Sequence, residues 1–257
     1  MVLPIGLVLS LVCMFGSVIM EGGNLGALIA IPSVVLVIGG TWGATIAAFT
    51  FADVFKVPVV CIRAMTKNFT DLSKTMEQLV ELGDIARKEG QLALESRLGD
   101  VKDPFLKHGL TLLVDGADEG RIREELEGYS LSVAERHTRY ISILSKAAGY
   151  APIFGLMGTT MGLINMLGEL NDPSKIGPHL AAAMTATLYG LITSNVIYTP
   201  ISDKLTRMHD SEMLNNEMTL DGVCTMLHGL SGRAMVERLE AWLPPSARNG
   251  DKGKAAA

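Results

Sequence analysis

Two uncharged stretches, residues 147–168 and 180–202, carry small and hydroxyl side chains at helical spacing. Gly155, Thr159 and Gly162 share one face of the first stretch. Ala183, Thr187, Gly190 and Ser194 share one face of the second. In an apolar setting, hydroxyl oxygens offer ligands to a cation or stations for a proton, and small residues let helix backbones approach closely. The same residues serve plain packing when each threonine bonds back to its own helix. The occurrence of two such faces in neighbouring segments is what points to an ion path.

Each stretch is long enough to cross a bilayer, because ~20 apolar residues at ~1.5 Å rise cover a hydrocarbon core of about 30 Å. A polar turn, residues 169–173, joins them. Residues 1–20 contain no charged side chain and lack the basic start and cleavage site of a signal peptide, so 3–20 is expected to be a retained first span. After a polar turn at 21–24, residues 25–52 are again uncharged and are expected to form the second span, with Gly39 and Gly43 spaced for close helix contact. Of the 22 Lys and Arg residues, 14 fall in 53–146 and seven in 203–257, while the turns between spans carry only Lys175. Positive charge marks the cytoplasmic side. The expectation is an all-α membrane protein with four transmembrane helices, both termini in the cytoplasm, in the cytoplasmic (inner) membrane. Its parts are a first hairpin (1–52), a cytoplasmic helical region (53–146), a second hairpin (147–202), and C-terminal helices with a disordered tail (203–257).

Within the cytoplasmic region, Asp71 should open a helix that Gly90 ends, followed by a shorter helix around 91–98. Asp103-Pro104 should start another, through Leu113. Asp118 then caps a segment with no breaker before the third span, so the third helix is expected to run on from cytoplasm into lipid. The fourth should likewise continue towards Leu227. Residues 232–243 read as a final short helix stopped by Pro244-Pro245.

The composition excludes several functions. A formal charge of −5 and the absence of a basic stripe give no nucleic-acid surface. Cys13, Cys61 and Cys224 are odd in number and far apart, so no disulfide framework is expected. No nucleophile–base pair, metal cluster or cofactor motif is evident, and Gly158-Thr159-Thr160 is no phosphate loop because no lysine follows. An enzyme is not expected. The span interiors also lack Asp, Glu, Lys and Arg, although a proton path normally needs an ionisable group partway along it. If the chain conducts ions, the titrating carboxylate must come from another polypeptide. Pro152 and Pro200, near the cytoplasmic ends of the third and fourth spans, each free a carbonyl four residues earlier and permit a kink. Arg87, Lys88 and Glu95, read as residues alone, form a solvated helix-turn face.

Motifs in a fixed order give these residues a family. Arg-Lys-x-Gly-x-Leu-Ala-Leu-Glu spans 87–95, Leu-Leu-Val-Asp-Gly 112–116, Glu-Arg-His-Thr 135–138 and Gly-Thr-x-x-Gly-Leu 158–163. Asp-Pro-x-x-Ile-Gly-Pro follows at 172–178, Thr-Leu-Tyr-Gly at 187–190 and Pro-Ile-x-Asp-Lys-Leu at 200–205. The chain resembles the MotA/PomA family of flagellar stator subunits, close to its PomA-like branch, over nearly its whole length. The resemblance implies a ring of five copies around a MotB/PomB-type single-span partner, whose membrane helix supplies the titrating aspartate. Ion flow would turn the ring, and its cytoplasmic region would push the rotor protein FliG.

Carried over by position, Arg87 and Glu95 match charged positions that face FliG, with Lys88 alongside. Pro152 and Pro200 match the family's functional prolines. Thr159 and Thr187 match hydroxyl positions beside the partner's aspartate; Thr160, Thr185 and Ala186 adjoin them on the expected ion path. Sodium-type members have Thr-Thr-Leu-Tyr-Gly, and here the first threonine is Ala186. A bare sodium ion needs several oxygens whereas a proton needs an acceptor and a water chain, so protons are the preferred cation and sodium the alternative. Gly149 stands where many members have an aspartate, so no role of that aspartate carries over.

Overall fold

The computed structural model describes residues 2–66 and 69–248, and their regular secondary structure is entirely helical. Helix α1, Val2–Met20, tolerates Pro4 because a first-turn residue has no N–H partner to lose. It ends at Gly22, whose φ of +74° suits glycine. Asn24 then accepts a hydrogen bond from the Gly26 amide at 2.8 Å and opens a single 3-10 turn, Leu25–Leu28. Pro32 begins a new helix, α2, over Ile31–Ala48, which contains one wide π turn at Val35–Gly39.

The second span is therefore shorter than the uncharged stretch 25–52. Its bounds are set by an Asx-type turn and a proline rather than by charge. Extended backbone at Phe49 closes it, and two short helices follow, α3 (Phe51–Val54) and α4 (Val57–Thr66).

Helix α5, Leu72–Glu89, ends at Gly90 with φ +88° and passes into a 3-10 helix, Gln91–Arg97. The Asp103 carboxylate accepts from the Phe105 amide and caps α6, Pro104–Val114. Asp118 accepts from the Arg121 amide at 2.9 Å, and α7 runs without interruption from Glu119 to Gly168. The fourth long helix, α8, covers Pro173–Leu227 with a π turn at Ile192–Tyr198. It starts seven residues before the expected span because Asp172 caps it, accepting from the Ser174 amide, and Pro173 fits the first turn. A short α9, Arg233–Leu239, and two 3-10 turns end the described chain. The expected disordered tail falls largely on residues 249–257, outside the described residues.

Among the described residues, four helices are long and apolar enough to cross a membrane: Leu3–Met20, Ile31–Ala48, Glu119–Gly168 and Pro173–Leu227. The chain divides into two compact units, Met1–Asn68 with His137–Arg207, and Phe69–Arg136 with Met208–Ala257. In the first unit, Ala147, Ala151, Ile143, Leu144, Tyr198 and Ile201 form a buried cluster with Val57 and Ala64. Trp42 meets Tyr198 edge-on, with ring centroids 5.9 Å apart. Contact between α2 and α7 is made at Gly40, where an added Cβ would run into the Phe154 ring. Gly39 and Gly43, expected to make it, face open space. The second unit buries Leu79, Leu106, Leu110, Leu113, Ile122, Leu126, Met218 and Met235, at roughly 1.5–3 kcal/mol per large apolar side chain.

Candidate functional site

In the first unit the two hydroxyl-bearing faces meet. Small residues set the distance between α7 and α8. A Cβ added to Gly162 would lie 2.6 Å from the Ala183 Cβ, and one on Gly190 would lie 2.7 Å from the Ala151 carbonyl oxygen. At that separation side-chain hydroxyls reach across to the facing backbone. The Thr159 and Thr187 hydroxyls are hydrogen-bonded to each other. Thr159 Oγ1 also donates within reach of the Gly155 carbonyl at 3.2 Å and the Ala183 carbonyl at 3.3 Å, and Thr187 Oγ1 lies 3.4 Å from the Gly155 carbonyl. Both threonines are half-buried. Further along, Ser194 Oγ donates to the Ala148 carbonyl at 2.7 Å and Ser202 Oγ to the Ile141 carbonyl at 3.3 Å.

The remaining residues of the expected path divide differently. Thr160 is exposed and bonds the Leu156 carbonyl of its own helix. Thr185 is buried and bonds its own Ala181 carbonyl at 2.6 Å. These two behave as ordinary back-bonded helix threonines. Ala186 is buried against Gly158, whose added Cβ would come within 2.5 Å of the Ala186 Cβ. The site of the missing hydroxyl is thus a tight helix–helix contact. Pro152 lies inside α7, and its Cα sits 3.2 Å from a Cβ built on Gly190. Pro200 is the second residue of the α-helical stretch that follows the π turn of α8. A side chain at Gly149 would meet open space.

No Asp, Glu, Lys or Arg lies inside Leu3–Met20 or Ile31–Ala48, or in 147–168 and 180–202 of the two long helices. The charged groups of this unit lie outside those segments. Asp53 accepts from the Thr50 hydroxyl at 2.6 Å and faces Arg139 at 3.5 Å. In the turn between α7 and α8, Glu169 meets His179 at 3.0 Å and Lys175 at 3.4 Å. The hydrogen bond with His179, helped by Lys175 against a partial desolvation cost, holds the Glu169 carboxyl below the usual glutamate range.

In the second unit, Arg87 and Lys88 occupy the last turn of α5 and Glu95 the following 3-10 helix, all three exposed. Arg87 Nη1 donates to Ser231 Oγ at 3.1 Å. The adjoining Asp84 accepts from the Gly232 amide at 2.9 Å. Sequence reasoning found Arg87 but not its tether, since Ser231 lies 144 residues away.

Among the described residues, four apolar helices with a paired hydroxyl seam between two of them are the frame of a multi-span membrane subunit. The sequence matches the family described as Motility protein A N-terminal over residues 4–91 and the MotA/TolQ/ExbB proton channel family over residues 98–218. Chemotaxis protein PomA of Vibrio alginolyticus is 34% identical over 243 residues, covering 93% of this chain and 95% of that protein. Motility protein A of Bacillus subtilis is 32% identical over 248 residues, covering 95% and 91%. The flagellar MotAB stator complex from Bacillus subtilis has a similar fold, with a TM-score of 0.88 and 31% identity over 95% of this chain and 96% of that one. The chain belongs to the MotA/TolQ/ExbB proton channel family. Within it, the chain is a flagellar stator ion-channel subunit of the MotA/PomA kind.

Proposed function

We propose that this subunit carries protons inward across the cytoplasmic membrane only when joined to a MotB/PomB-type single-span partner, and converts that flow into torque on the rotor protein FliG. The observation that carries the reading is the seam itself: it has oxygens but no group that changes charge. A proton relay through lipid needs a titrating station, so the partner's helix must bring a carboxylate to the Thr159–Thr187 pair. The solved relative is a MotAB complex, which supports such a partner. A homopentameric ring, multi-pass in the inner membrane with both termini cytoplasmic, follows from the family resemblance and the distribution of Lys and Arg.

Protons rather than sodium suit the geometry. Of the expected path residues, Thr160 and Thr185 bond back to their own helices and Ala186 is a packing contact, which leaves Thr159 and Thr187 to act across the seam. Two hydroxyls bonded to each other can relay a proton but supply few of the oxygens a dehydrated sodium ion needs. Pro152 and Pro200 give the two helices places to bend. The exposed Arg87, Lys88 and Glu95 face suits rapid making and breaking of rotor contacts, since exposed ion pairs contribute only about 0.2–1 kcal/mol each.

The test is proton flux into liposomes holding the chain alone, the chain with its partner, and the Thr187→Val chain with its partner. Flux should need the partner and fall in Thr187→Val. Full-rate flux from the chain alone would defeat the borrowed-carboxylate reading. A flux that requires sodium would replace the proton with the alternative cation.

A further inference from the structure

Three hydroxyls of α8, on Thr187, Ser194 and Ser202, reach backbone carbonyls of α7 at Gly155, Ala148 and Ile141. Steps of seven and eight residues along α8 match steps of seven along α7. That is the spacing at which two antiparallel helices keep presenting the same edge to each other. The seam is a ladder of hydroxyl-to-carbonyl bonds.

The rungs are not equivalent. In a regular helix the carbonyl of residue 141 is taken by the amide of 145, and that of 155 by the amide of 159, so a hydroxyl adds a second bond to an oxygen already paired. The carbonyl of Ala148 would take the amide of residue 152, which is Pro152 and has none. Its hydroxyl partner is also the shortest of the three at 2.7 Å, and Ser194 is buried. Ala147 and Ala151, on either side, are fully buried as well. An acceptor left unpaired in such a place is costly, because no bulk water reaches it.

We propose that Ser194 is a positioning residue for ion conduction: its hydroxyl occupies the carbonyl that Pro152 leaves free, and so fixes the bend of α7 against α8 two turns from the Thr159–Thr187 pair. Breaking this one rung frees a carbonyl oxygen beside Pro152 and lets α7 shift there. The Ser202 rung holds register and is replaceable. The proposal rests on the ion-conducting reading above for its functional arm, while its structural arm stands on the bond alone.

The experiment compares the full stator complex carrying Ser194→Ala, Ser194→Thr, Ser202→Ala, Pro152→Ala and the double variant Pro152→Ala/Ser194→Ala. Partner-dependent proton flux and thermal melting in detergent are both read. Ser194→Ala should weaken the complex by about three- to twentyfold in its folding equilibrium, the span of single interhelical hydrogen bonds in membranes. It should also lower flux, with Ser194→Thr restoring both and Ser202→Ala changing neither appreciably. Pro152→Ala gives the helix back its amide, so in that background Ser194→Ala should cost nothing further in melting. An equal cost of Ser194→Ala with and without Pro152→Ala would overturn the proposal, as would a silent Ser194→Ala. If the unaltered complex carries no flux, the conduction reading fails and with it the functional arm, while melting still decides whether Ser194 serves Pro152.

Discussion

Replacing Gly190 with alanine places a methyl carbon 2.7 Å from the Ala151 carbonyl oxygen, 3.1 Å from the Gly155 Cα and 3.2 Å from the Pro152 Cα. Ordinary contact begins near 3.4 Å, so the facing helix must retreat by about 0.7 Å. All three obstructing atoms belong to backbone, and none can swing aside as a side chain would. Overpacking of this kind costs about 1–3 kcal/mol. The damage should also spread along the seam. Thr187, one turn away, already reaches the Gly155 carbonyl at 3.4 Å, and a further 0.7 Å of separation or so would end that bond. Gly6→Ala is the matched control: it lies in α1 with open space around its Cβ, and helix propensity alone favours the change by about 1 kcal/mol. Purified stator complexes are compared by thermal melting, and the same variants by proton flux in liposomes. Gly190→Ala should melt lower and conduct poorly, whereas Gly6→Ala should melt at or slightly above the unaltered complex. Equal behaviour of the two variants would refute the close-contact argument.

At the proposed rotor face, Arg87→Glu should cut torque measured on tethered cells, and a matching charge reversal in the rotor should restore part of it; without any restoration, Arg87 does not act by direct charge pairing. In the turn between α7 and α8, Glu169 has a depressed pKa, so its contribution is lost as the pH falls through that lowered value. The melting difference between the unaltered complex and Glu169→Gln should therefore close as the pH falls below the ordinary glutamate range. A difference that persists unchanged under strong acidification would contradict the assignment.

Much of this arrangement is legible in the sequence because membrane spans and helix caps are local signals. Residues 3–20 have no charge to argue otherwise, Asp71 and Gly90 bracket α5, and Asp103-Pro104 opens α6, each from chemistry within a few residues. Boundaries went astray where charge was the wrong guide. Residues 25–30 are as uncharged as the span that follows, yet the Asn24 turn and Pro32 exclude them from α2. Lys175 and His179 are tolerated in the first turns of α8 because Glu169 neutralises that corner. Long-range partners were out of reach altogether. Glycine spacing predicted a contact face on α2 but chose Gly39 and Gly43, while Phe154 settles on Gly40. The hydroxyl faces of α7 and α8 were visible, but which carbonyl each hydroxyl takes depends on the register of two antiparallel helices. That register is fixed by Gly155, Gly162, Ala183 and Gly190 acting together, not by any one motif.

The strengths of the contacts along this hairpin also bear on how a cyclic machine can use it. Isolated charges in mid-span would each cost several kcal/mol, about 2.5–3.5 even on insertion scales, and would have to be re-paired at every rearrangement. Here the apolar segments carry none, and the charged pairs Asp53–Arg139 and Glu169–His179 lie outside them. Between them the helices are joined by small-residue packing and by hydroxyl bonds of about 0.6 kcal/mol on average. Such a seam is specific in register, and its rungs other than Ser194–Ala148 are inexpensive to open singly. A single carboxylate brought from outside, changing charge once per ion, would then be the largest electrostatic event in the membrane. On the proposed reading, confining the titrating group to a partner would let that event act on helices joined only by such weak contacts.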